Sequence, residues 1–488
     1  MFAHKRALNI KSVFFAFITL TIGMACLCSG VSGIPVSPVT TRQEPTVTAT
    51  EIPTLQQESP PLAPGVQGLN PNAPWLLVAT NTDLWAANPD GSNLVQLTNG
   101  INWQTDLSRA IQPAGNLVVL LTFGADPYHQ LALNLLSLPD GSIKKITDLT
   151  TPQTEPAADA APGDPSLEAM RAISERPSYA WSPDGTKLAF IGALDGPHAS
   201  VYVYDTNGGT IKRISQDDSQ DYSPSWSPDG TRLLYFGAEG FGTGAGISMK
   251  GVWSASSDGS DVSLLYKPTS AGEEILGWRD SETAVLESWD MVNGPSKLRL
   301  YNIVSKKQTV LQADTVQGAA VATTLSADPG AVLFTKADGL YLLPSGTDQP
   351  QKISGDQVES IRWLPGSSIF TVQLSTGGLA TFEADGNNRE DAPFTQLNGT
   401  TEVACYGAIW AWTDQVDSKG AWYSGPGLDT TKLIDGPATA PIWDLHNNLM
   451  FFIGSDLYRV TFDSHYTDTA PVAHINGEVQ AVAWVNNQ

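Results

Sequence analysis

Residues 179–190 read YAWSPDGTKLAF, and residues 225–236 read SWSPDGTRLLYF. In each copy an apolar run stops at Ser-Pro-Asp-Gly, and a second apolar run begins two residues later. Proline presets the backbone for one position of a tight turn, and Asp and Gly complete and leave that turn. Two apolar runs joined in this way predict an antiparallel β-hairpin.

The two copies are spaced like the units of a repeat. Trp226 lies 45 residues after Trp181, and a period of about 40–45 residues with four short strands per unit is typical of a β-propeller blade. The same type of run ends at four further tryptophans, Trp278, Trp363, Trp443 and Trp484. Two of the intervals, of 85 and 80 residues, are close to twice the period. Each of them contains either a blade without the marker or one blade with a long insertion.

The repeats therefore predict an all-β fold with a single β-propeller of about eight four-stranded blades, with seven to nine allowed. The two ends of the repeat region are expected to share a blade. Residues 75–98 supply three strands without an innermost one, and residues 479–485, VQAVAWV, have the Trp-ended form of an inner strand. Strands from both termini would then close the ring and remove its free sheet edges.

These units resemble the TolB-type, WD-like propeller repeat, which is marked by W-S-P-D-G between its first two strands. The matching residues are Trp181, Pro183, Asp184 and Gly185 in one unit and Trp226, Pro228, Asp229 and Gly230 in the next. The resemblance covers residues 75–488 and implies the fold. The same repeat occurs in TolB, in peptidases of the prolyl-oligopeptidase type and in many envelope proteins. TolB itself carries a small α/β domain before its propeller. Here a Pro- and Thr-rich stretch stands in that place, so we expect a TolB-like propeller and not TolB.

The N-terminal 30 residues predict export. Basic residues precede an uncharged apolar run, which is the pattern of a secretory signal. Residues 23–26, Gly-Met-Ala-Cys, resemble a bacterial lipoprotein signal, and the resemblance implies that Cys26 becomes the lipid attachment residue. An uncleaved membrane anchor and a freely secreted product are the alternatives. We expect a protein of the cell envelope, exported and anchored to a membrane through its N-terminus, in the periplasm or on the outer surface.

The rest of the chain divides into a linker and the propeller. Residues 31–72 are rich in Pro and Thr and predict a disordered linker, and residues 73–488 form the propeller domain. An insertion at residues 150–175 contains Asp164-Pro165 before SLEAMRAIS, which predicts a short helix capped by Asp164. A second long loop covers residues 237–251.

Composition excludes several classes of function. A net charge of −23 repels phosphate backbones, so nucleic acid is not an expected partner. Three cysteines exclude a disulfide framework, and Cys405 is expected to be a small buried side chain. The sequence contains neither G-x-S-x-G nor H-E-x-x-H, the signatures of a nucleophile elbow and a zinc peptidase.

No metal, cofactor or catalytic residue is predicted. Metal-ligand spacing is lacking among the five histidines of the exported part, His129, His198, His446, His465 and His474. The Gly-rich stretch 240–246 does not open a helix, so it is not expected to hold a phosphate. The turn aspartates are interpreted as structural.

The tryptophans fall into two groups. Those at the repeated position are expected to pack between blades, whereas four outside that register are expected to be the more exposed ones, namely Trp289, Trp410, Trp412 and Trp422. We expect a membrane-tethered, non-catalytic binding scaffold that recognises a protein or polysaccharide through its propeller loops. The alternative is a propeller-type glycosidase or lyase that acts through carboxylates of the central channel.

Overall fold

The structure of the protein is a computed structural model. It describes residues 51–52 and 68–485, with gaps at 73, 101–102, 105, 125–127, 153, 158–159, 162, 176, 241–246, 269–271, 291–293, 313–318, 323–327, 364–368, 396–400, 407–408, 416–418, 426–427, 444–447 and 464–465. The described strands form a single all-β propeller of nine antiparallel sheets, called blades 1 to 9 in chain order.

Each blade has four strands, and blade 3 carries a fifth at its outer edge, β1 (Glu51–Ile52). Blade 1 consists of β2 (Trp75–Thr80), β3 (Leu84–Ala87), β4 (Val95–Gln96) and, as its inner strand, β37 (Val479–Val485). Blade 2 consists of β5 (Trp103–Gln104), β6 (Leu117–Thr122), β7 (Ala132–Ser137) and β8 (Ile143–Asp148), with helix α1 (Leu107–Ala110) after β5. Helix α2 (Pro165–Ser174) follows. Blade 3 consists of β9 (Tyr179–Trp181), β10 (Lys187–Gly192), β11 (Ser200–Asp205) and β12 (Ile211–Arg213).

Blades 4 to 6 continue the same order from the inner to the outer strand. Blade 4 consists of β13 (Gln220–Trp226), β14 (Arg232–Gly240), β15 (Ile247–Ser256) and β16 (Val262–Tyr266). Blade 5 consists of β17 (Gly272–Trp278), β18 (Thr283–Asp290), β19 (Gly294–Asn302) and β20 (Lys307–Gln312). Blade 6 consists of β21 (Ala319–Val321), β22 (Val332–Lys336), β23 (Gly339–Leu343) and β24 (Gln351–Ser354).

Blades 7 to 9 complete the ring. Blade 7 consists of β25 (Val358–Trp363), β26 (Ile369–Leu374), β27 (Gly378–Glu383) and β28 (Glu390–Thr395). Blade 8 consists of β29 (Thr401–Tyr406), β30 (Ile409–Asp414), β31 (Gly420–Gly425) and β32 (Leu428–Asp435). Blade 9 consists of β33 (Ala438–Trp443), β34 (Leu449–Ile453), β35 (Asp456–Asp463) and β36 (Tyr466–His474).

The prediction of a four-stranded propeller is confirmed, but its preferred count of eight is one blade too low. Both long intervals between marker tryptophans contain a complete blade. Blade 6 lies in the first interval and blade 8 in the second, and neither inner strand ends in tryptophan. The insertion alternative is therefore wrong for both intervals.

Burial explains why the second strands are such long apolar runs. All six residues of β2 are buried, as are the four central residues of β6. A strand covered on both faces needs apolar side chains on both, so its sequence loses the usual alternation. In a propeller both faces of the second strand meet neighbouring blades, and this accounts for the pattern in β2 and β6.

The tryptophan that ends an inner strand reaches across to the preceding blade. Trp181 donates its indole N–H to the backbone oxygen of Ala110 at 2.9 Å. Trp226 donates in the same way to Ala180 at 3.0 Å. The marker tryptophans at the ends of β9, β13, β17, β25 and β33 are buried, with 6–8% exposure, and Trp484 is partly buried. These side chains therefore set the docking of successive blades.

The Ser-Pro-Asp-Gly turn is held by its own side chains. Ser182 donates its hydroxyl to the Asp184 carboxylate at 2.6 Å, and the same carboxylate accepts the backbone N–H of Thr186 at 3.0 Å. The Ser182 hydroxyl, foremost among these bonds, lowers the pKa of Asp184. Gly185 has φ of +68°, a conformation that costs a residue with a side chain roughly 1–2 kcal/mol.

We expect Gly185→Ala to be more destabilising than Gly209→Ala. Both glycines have positive φ, +68° and +66°. A Cβ at Gly185 would lie 2.6 Å from the backbone oxygen of Pro113 in blade 2, whereas nothing lies within 4 Å of one at Gly209. The difference between the two free energies of unfolding, measured by denaturant titration, isolates this contact between blades. Equal losses would contradict it.

The ring closes as predicted, because β37 pairs with β2 from Trp75↔Val485 to Thr80↔Val479. Trp484 donates its indole N–H to the backbone oxygen of Trp443 in blade 9 at 2.7 Å. The first and last strands of the described ring therefore belong to one sheet.

Removing residues 478–488 is expected to lower the melting temperature sharply. The truncation uncovers the edge of β2, whose residues are all buried, and loss of a large packed aromatic alone costs about 3–5 kcal/mol. Gln480→Ala changes an exposed side chain of the same strand and serves as the control. Differential scanning calorimetry gives the melting temperatures of both variants. A truncated chain that melts at the temperature of the control would contradict closure at this blade.

Candidate functional site

Strand direction divides the connections between two faces of the ring. Inner strands end at the Ser-Pro-Asp-Gly turns, and the turns from third to fourth strands lie on that side, which we call the turn face. The connections between blades and the turns from second to third strands lie on the opposite side, the loop face. Both long loops, 150–175 and 237–251, are on the loop face, which makes it the candidate site.

Helix α2 is a fixed part of this face. Asp164 caps it as predicted, because its carboxylate accepts the backbone N–H groups of Ser166 and Leu167 and Pro165 occupies the first turn. Ala169, Met170, Ala172 and Ile173 are fully buried in the main core cluster. Removing this insertion would therefore expose apolar surface.

One glutamine ties the helix to two blades. Gln220, the first residue of β13, donates its side-chain amide to the backbone oxygen of Pro165 at 3.0 Å. Its side-chain oxygen accepts the backbone N–H of Ala199 in blade 3 at 2.7 Å. Gln220 is itself buried, so both bonds are shielded from water. Blade 3, blade 4 and α2 thus meet at a single side chain.

The hairpin of blade 4 rises toward the same helix. β14 and β15 continue to pair beyond Gly237 as far as Gly240↔Ile247. A Cβ at Gly240 would lie 2.7 Å from the carboxylate carbon of Glu168, so only glycine lets the strand approach the helix this closely. Glu168 is buried and pairs with Arg171 at 3.0 Å. The hairpin therefore rests on α2.

Blade 2 completes the arrangement. Tyr128 donates its hydroxyl to Glu175, just after α2, at 3.0 Å. Glu155 accepts the backbone N–H of Gln130 at 3.0 Å, and Thr154 donates its hydroxyl to the backbone oxygen of Ala193 at 3.0 Å. We call α2 with Glu175, the described residues among 123–130 and 150–164, residues 217–218 and the described part of the blade 4 hairpin the loop platform. Its parts are joined to each other and to three blades.

The cations of this region are held by carboxylates of the same region. Arg213 pairs with Asp195 at 3.1 Å, and Lys250 pairs with Glu239 at 2.6 Å. Asp217 and Asp218 add two more carboxylates beside them, at the start of blade 4. Because the acids outnumber the bases here, the electrostatic potential of the platform favours a positively charged group on a partner.

Two buried carboxylates occupy equivalent positions near the start of the inner strands of blades 4 and 5. Asp221 precedes Trp226 by five residues and pairs with Gly237, and Glu273 precedes Trp278 by five residues and pairs with Ser288. The same place holds Val358 in blade 7 and Ala438 in blade 9. Counting back from the marker tryptophan would have singled out these acids, and our sequence reasoning missed them.

The two carboxylates are satisfied differently. Glu273 forms an ion pair with Arg299 and accepts the hydroxyl of Tyr266, the last residue of blade 4. Asp221 is fully buried, and its carboxylate accepts the hydroxyl of Ser219 at 3.2 Å and is also close to the hydroxyl of Ser215. Burial, and then the charge of Asp217, raise the pKa of Asp221 well above its usual value. The first site carries its own cation, whereas the second favours a proton.

Asp221→Asn is expected to stabilise the protein near neutral pH and to have little effect near pH 4. The pKa of Asp221 is raised in the folded state, whereas in the unfolded chain it is about 3.9. At a pH above about 3.9 the protein therefore takes up a proton when it folds, and the free energy of unfolding falls as the pH rises. Asparagine removes that cost. Melting temperatures of both proteins between about pH 4 and pH 8 test this. A difference that is constant with pH would contradict it.

The residues singled out from the sequence have distinct locations. The turn residues Pro183, Asp184, Gly185, Pro228, Asp229 and Gly230 lie on the turn face, away from the platform. Cys26 lies outside the described residues, as do His446, His465 and residues 241–246. The side chains of Trp289 and Cys405 are also outside them.

The expectation that the out-of-register tryptophans are exposed was wrong for two of them. Trp410 and Trp412 are 2% and 6% exposed. Trp412 stacks on Trp422, and this group packs against Leu379 of blade 7. These side chains do in blade 8 what the marker tryptophan does elsewhere, since they join the blade to its predecessor.

Two further features, a metal site and a membrane-spanning helix, are absent from the described residues. In the part of the chain that the structure describes, no three His, Cys, Asp or Glu side chains are grouped so that they could hold a metal ion. No helix among the described residues is long and apolar enough to span a membrane.

The exposed acids of the inner strands lie apart from Asp221 and Glu273. Glu274 in blade 5 and Glu359 in blade 7 are exposed. They belong to blades that are not adjacent, because blade 6 separates them.

No family model matches the chain, and no curated protein matches it. TolB from Acinetobacter baumannii is similar to it with a TM-score of 0.33 and 13% identity, over 66% of this chain and 64% of TolB. Dipeptidyl peptidase 4 of Porphyromonas gingivalis is similar with a TM-score of 0.49 and 12% identity, over 79% of this chain and 62% of the peptidase. Oligogalacturonate lyase from Vibrio parahaemolyticus is similar with a TM-score of 0.35 and 13% identity, over 63% of this chain and 82% of the lyase. This chain thus spans less than two thirds of the length of that TolB and of that peptidase.

At these identities the likeness concerns the fold alone. It corrects one expectation, because the structures with this fold include a dipeptidyl peptidase, a puromycin hydrolase and a lyase. Our inference that the chain is not an enzyme was therefore wrong, since the fold gives no ground for excluding catalysis. What the comparisons support is that this chain forms a TolB-like β-propeller.

Proposed function

We propose that this protein recognises a protein partner outside the cytoplasm, and that the loop platform of blades 2 to 4 is its binding surface. The observation that carries the proposal is the preorganisation of the platform. Gln220 fixes α2 to two blades, and Gly240 lets the blade 4 hairpin rest on Glu168. A surface that is already ordered loses little conformational entropy when it binds.

Two other hairpins of the loop face are shorter than the hairpin of blade 4. In blade 6 the second and third strands are joined at Lys336↔Gly339, and in blade 7 the corresponding pairing begins at Gln373↔Leu379. These turns are short, whereas the hairpin of blade 4 spans 237–251 and the insertion spans 150–175. Recognition commonly lies on loops carried by a rigid scaffold. In this proposal the platform supplies the contact surface.

The chemistry of the platform favours a partner that carries basic side chains. Asp217, Asp218 and Glu175 present carboxylates, and Arg213 and Lys250 already pair with acids of their own region. Anionic polymers would be repelled by this surface and by the net charge of −23. The sequence around Cys26 supports export and a tether, so we propose that this recognition occurs at the cell envelope.

Site-specific photocrosslinking tests the proposal. A photoreactive phenylalanine analogue at Tyr128, which is 36% exposed on the loop face, is expected to give a defined protein adduct in intact cells. The same analogue at Val304, 64% exposed and on the turn face, is the control and is expected to give none.

A shortened hairpin makes the test sharper. Replacing residues 240–247 by Asn-Gly joins Glu239 and Ser248, which face each other in the ladder, through a favoured two-residue turn. The adduct at position 128 is expected to be lost while the melting temperature stays close to that of the parent. An adduct that persists in the shortened variant, or equal adducts on both faces, would refute the proposal.

A further inference from the structure

Three buried polar atoms between blades 3 and 4 have no hydrogen-bond partner among the described residues. They are the second carboxylate oxygen of Asp221, the hydroxyl of Tyr235 and the indole N–H of Trp253. Each is cut off from solvent. An unsatisfied buried polar atom costs stability, so three in one place call for a physical explanation.

The three side chains lie on the same face of blade 4. Asp221 pairs with Gly237, which pairs in turn with Gly251. Tyr235 and Trp253 are directly opposite each other, and each lies two residues along its strand from the Gly237–Gly251 pair. Side chains two residues apart share one face of a sheet, so the tyrosine and tryptophan flank the row that begins with Asp221.

The two glycines make room for the indole edge. A Cβ at Gly237 would lie 3.1 Å from the Trp253 indole nitrogen, and one at Gly251 would lie 3.0 Å from it. The hydroxyl of Ser219 lies 2.5 Å from the same point at Gly237 and 3.2 Å from the carboxylate of Asp221. The indole N–H is therefore close to the acid and its serine. Burial and the nearby Asp221 raise the pKa of the Tyr235 hydroxyl, which places that group near the acid as well.

The donors and acceptors define what can fill this place. An indole N–H only donates, so the occupant must accept a hydrogen bond, and a bare cation cannot do so. An anion would be repelled by the charge of Asp217, the same charge that helps to raise the pKa of Asp221. An oxygen that also carries hydrogen can accept from Trp253 and exchange bonds with Tyr235 and Asp221. A water molecule satisfies all of these conditions with three bonds, which is the usual number for a buried water.

We propose that blades 3 and 4 enclose a binding site for one internal water molecule, held by Asp221, Tyr235 and Trp253 beneath the loop platform. The equivalent place in blade 5 supports this assignment. There Arg299 and Tyr266 satisfy Glu273 from within the chain. In blade 4 Trp253 stands at the position of Arg299, opposite Tyr235 as Arg299 is opposite Leu286, and the water completes the set.

The sign of one stability change tests the proposal. If Tyr235 is bound to water, Tyr235→Phe in the full chain removes a satisfied bond and lowers the melting temperature. If the hydroxyl is unpaired, the same change removes a buried unsatisfied group and leaves the melting temperature equal or higher, which would overturn the proposal. Tyr202→Phe is the matched control, because Tyr202 donates its hydroxyl directly to Asp195 at 2.6 Å and its loss is expected to be destabilising.

A high-resolution crystal structure of the full chain separates water from a direct contact. Density for a water within hydrogen-bonding distance of the Tyr235 hydroxyl and the Trp253 indole nitrogen is the expected result. A direct bond between Tyr235 and Asp221 with no water density would overturn the proposal even if Tyr235→Phe is destabilising.

Discussion

The docking of successive blades in this ring depends on the tryptophan at the end of an inner strand, whose N–H in blades 1, 3, 4 and 5 donates to the blade before it. Trp226 and Trp484 each donate to a backbone oxygen of the preceding inner strand, and Trp181 donates to that of Ala110 at the end of helix α1 in blade 2. An indole N–H that is buried without a partner is costly, so the bond fixes how far one blade is rotated and shifted against the next. The turn that follows the tryptophan is then placed against the neighbouring turn, as Gly185 is against Pro113. Closure through β37 is the last step of the same series.

This dependence explains what the sequence could and could not reveal. The turns, the marker tryptophans and the shared first blade depend on local chemistry, so their pattern is legible residue by residue. Blade 8 lacks the marker tryptophan because a different set of side chains joins it to blade 7, namely Trp410, Trp412 and Trp422. Their spacing breaks the register, and a periodicity argument therefore interpreted them as exposed. Blade 6 has no tryptophan at the position at all, so only the doubled interval indicated it.

The loop platform illustrates the opposite case. Its contacts join residues far apart in the chain, such as Gln220 with Pro165 and Gly240 with Glu168. No local sequence pattern predicts such a contact, because neither partner differs from a usual residue of its own segment. The helix was predictable from its Asp164 cap, but its burial was not. Asp221 lies between these extremes, because its distance from Trp226 is a local signal that becomes meaningful once the register of the inner strands is known.

The two faces of the ring differ in how much freedom they leave for function. On the turn face each Asp-Gly turn uses its carboxylate for its own backbone, as Asp184 and Asp229 do, so those acids are already committed. The loop face has no such requirement, because blades can be joined there by connections of any length. An insertion can therefore grow on that face and be fastened by a few long-range bonds without disturbing the blade cores. Once α2 had buried its apolar side on blades 3 and 4, the helix, the hairpin and their acidic surroundings formed a fixed surface. Such a surface can serve recognition or position a substrate, and in both cases its usefulness comes from being ordered before the partner arrives.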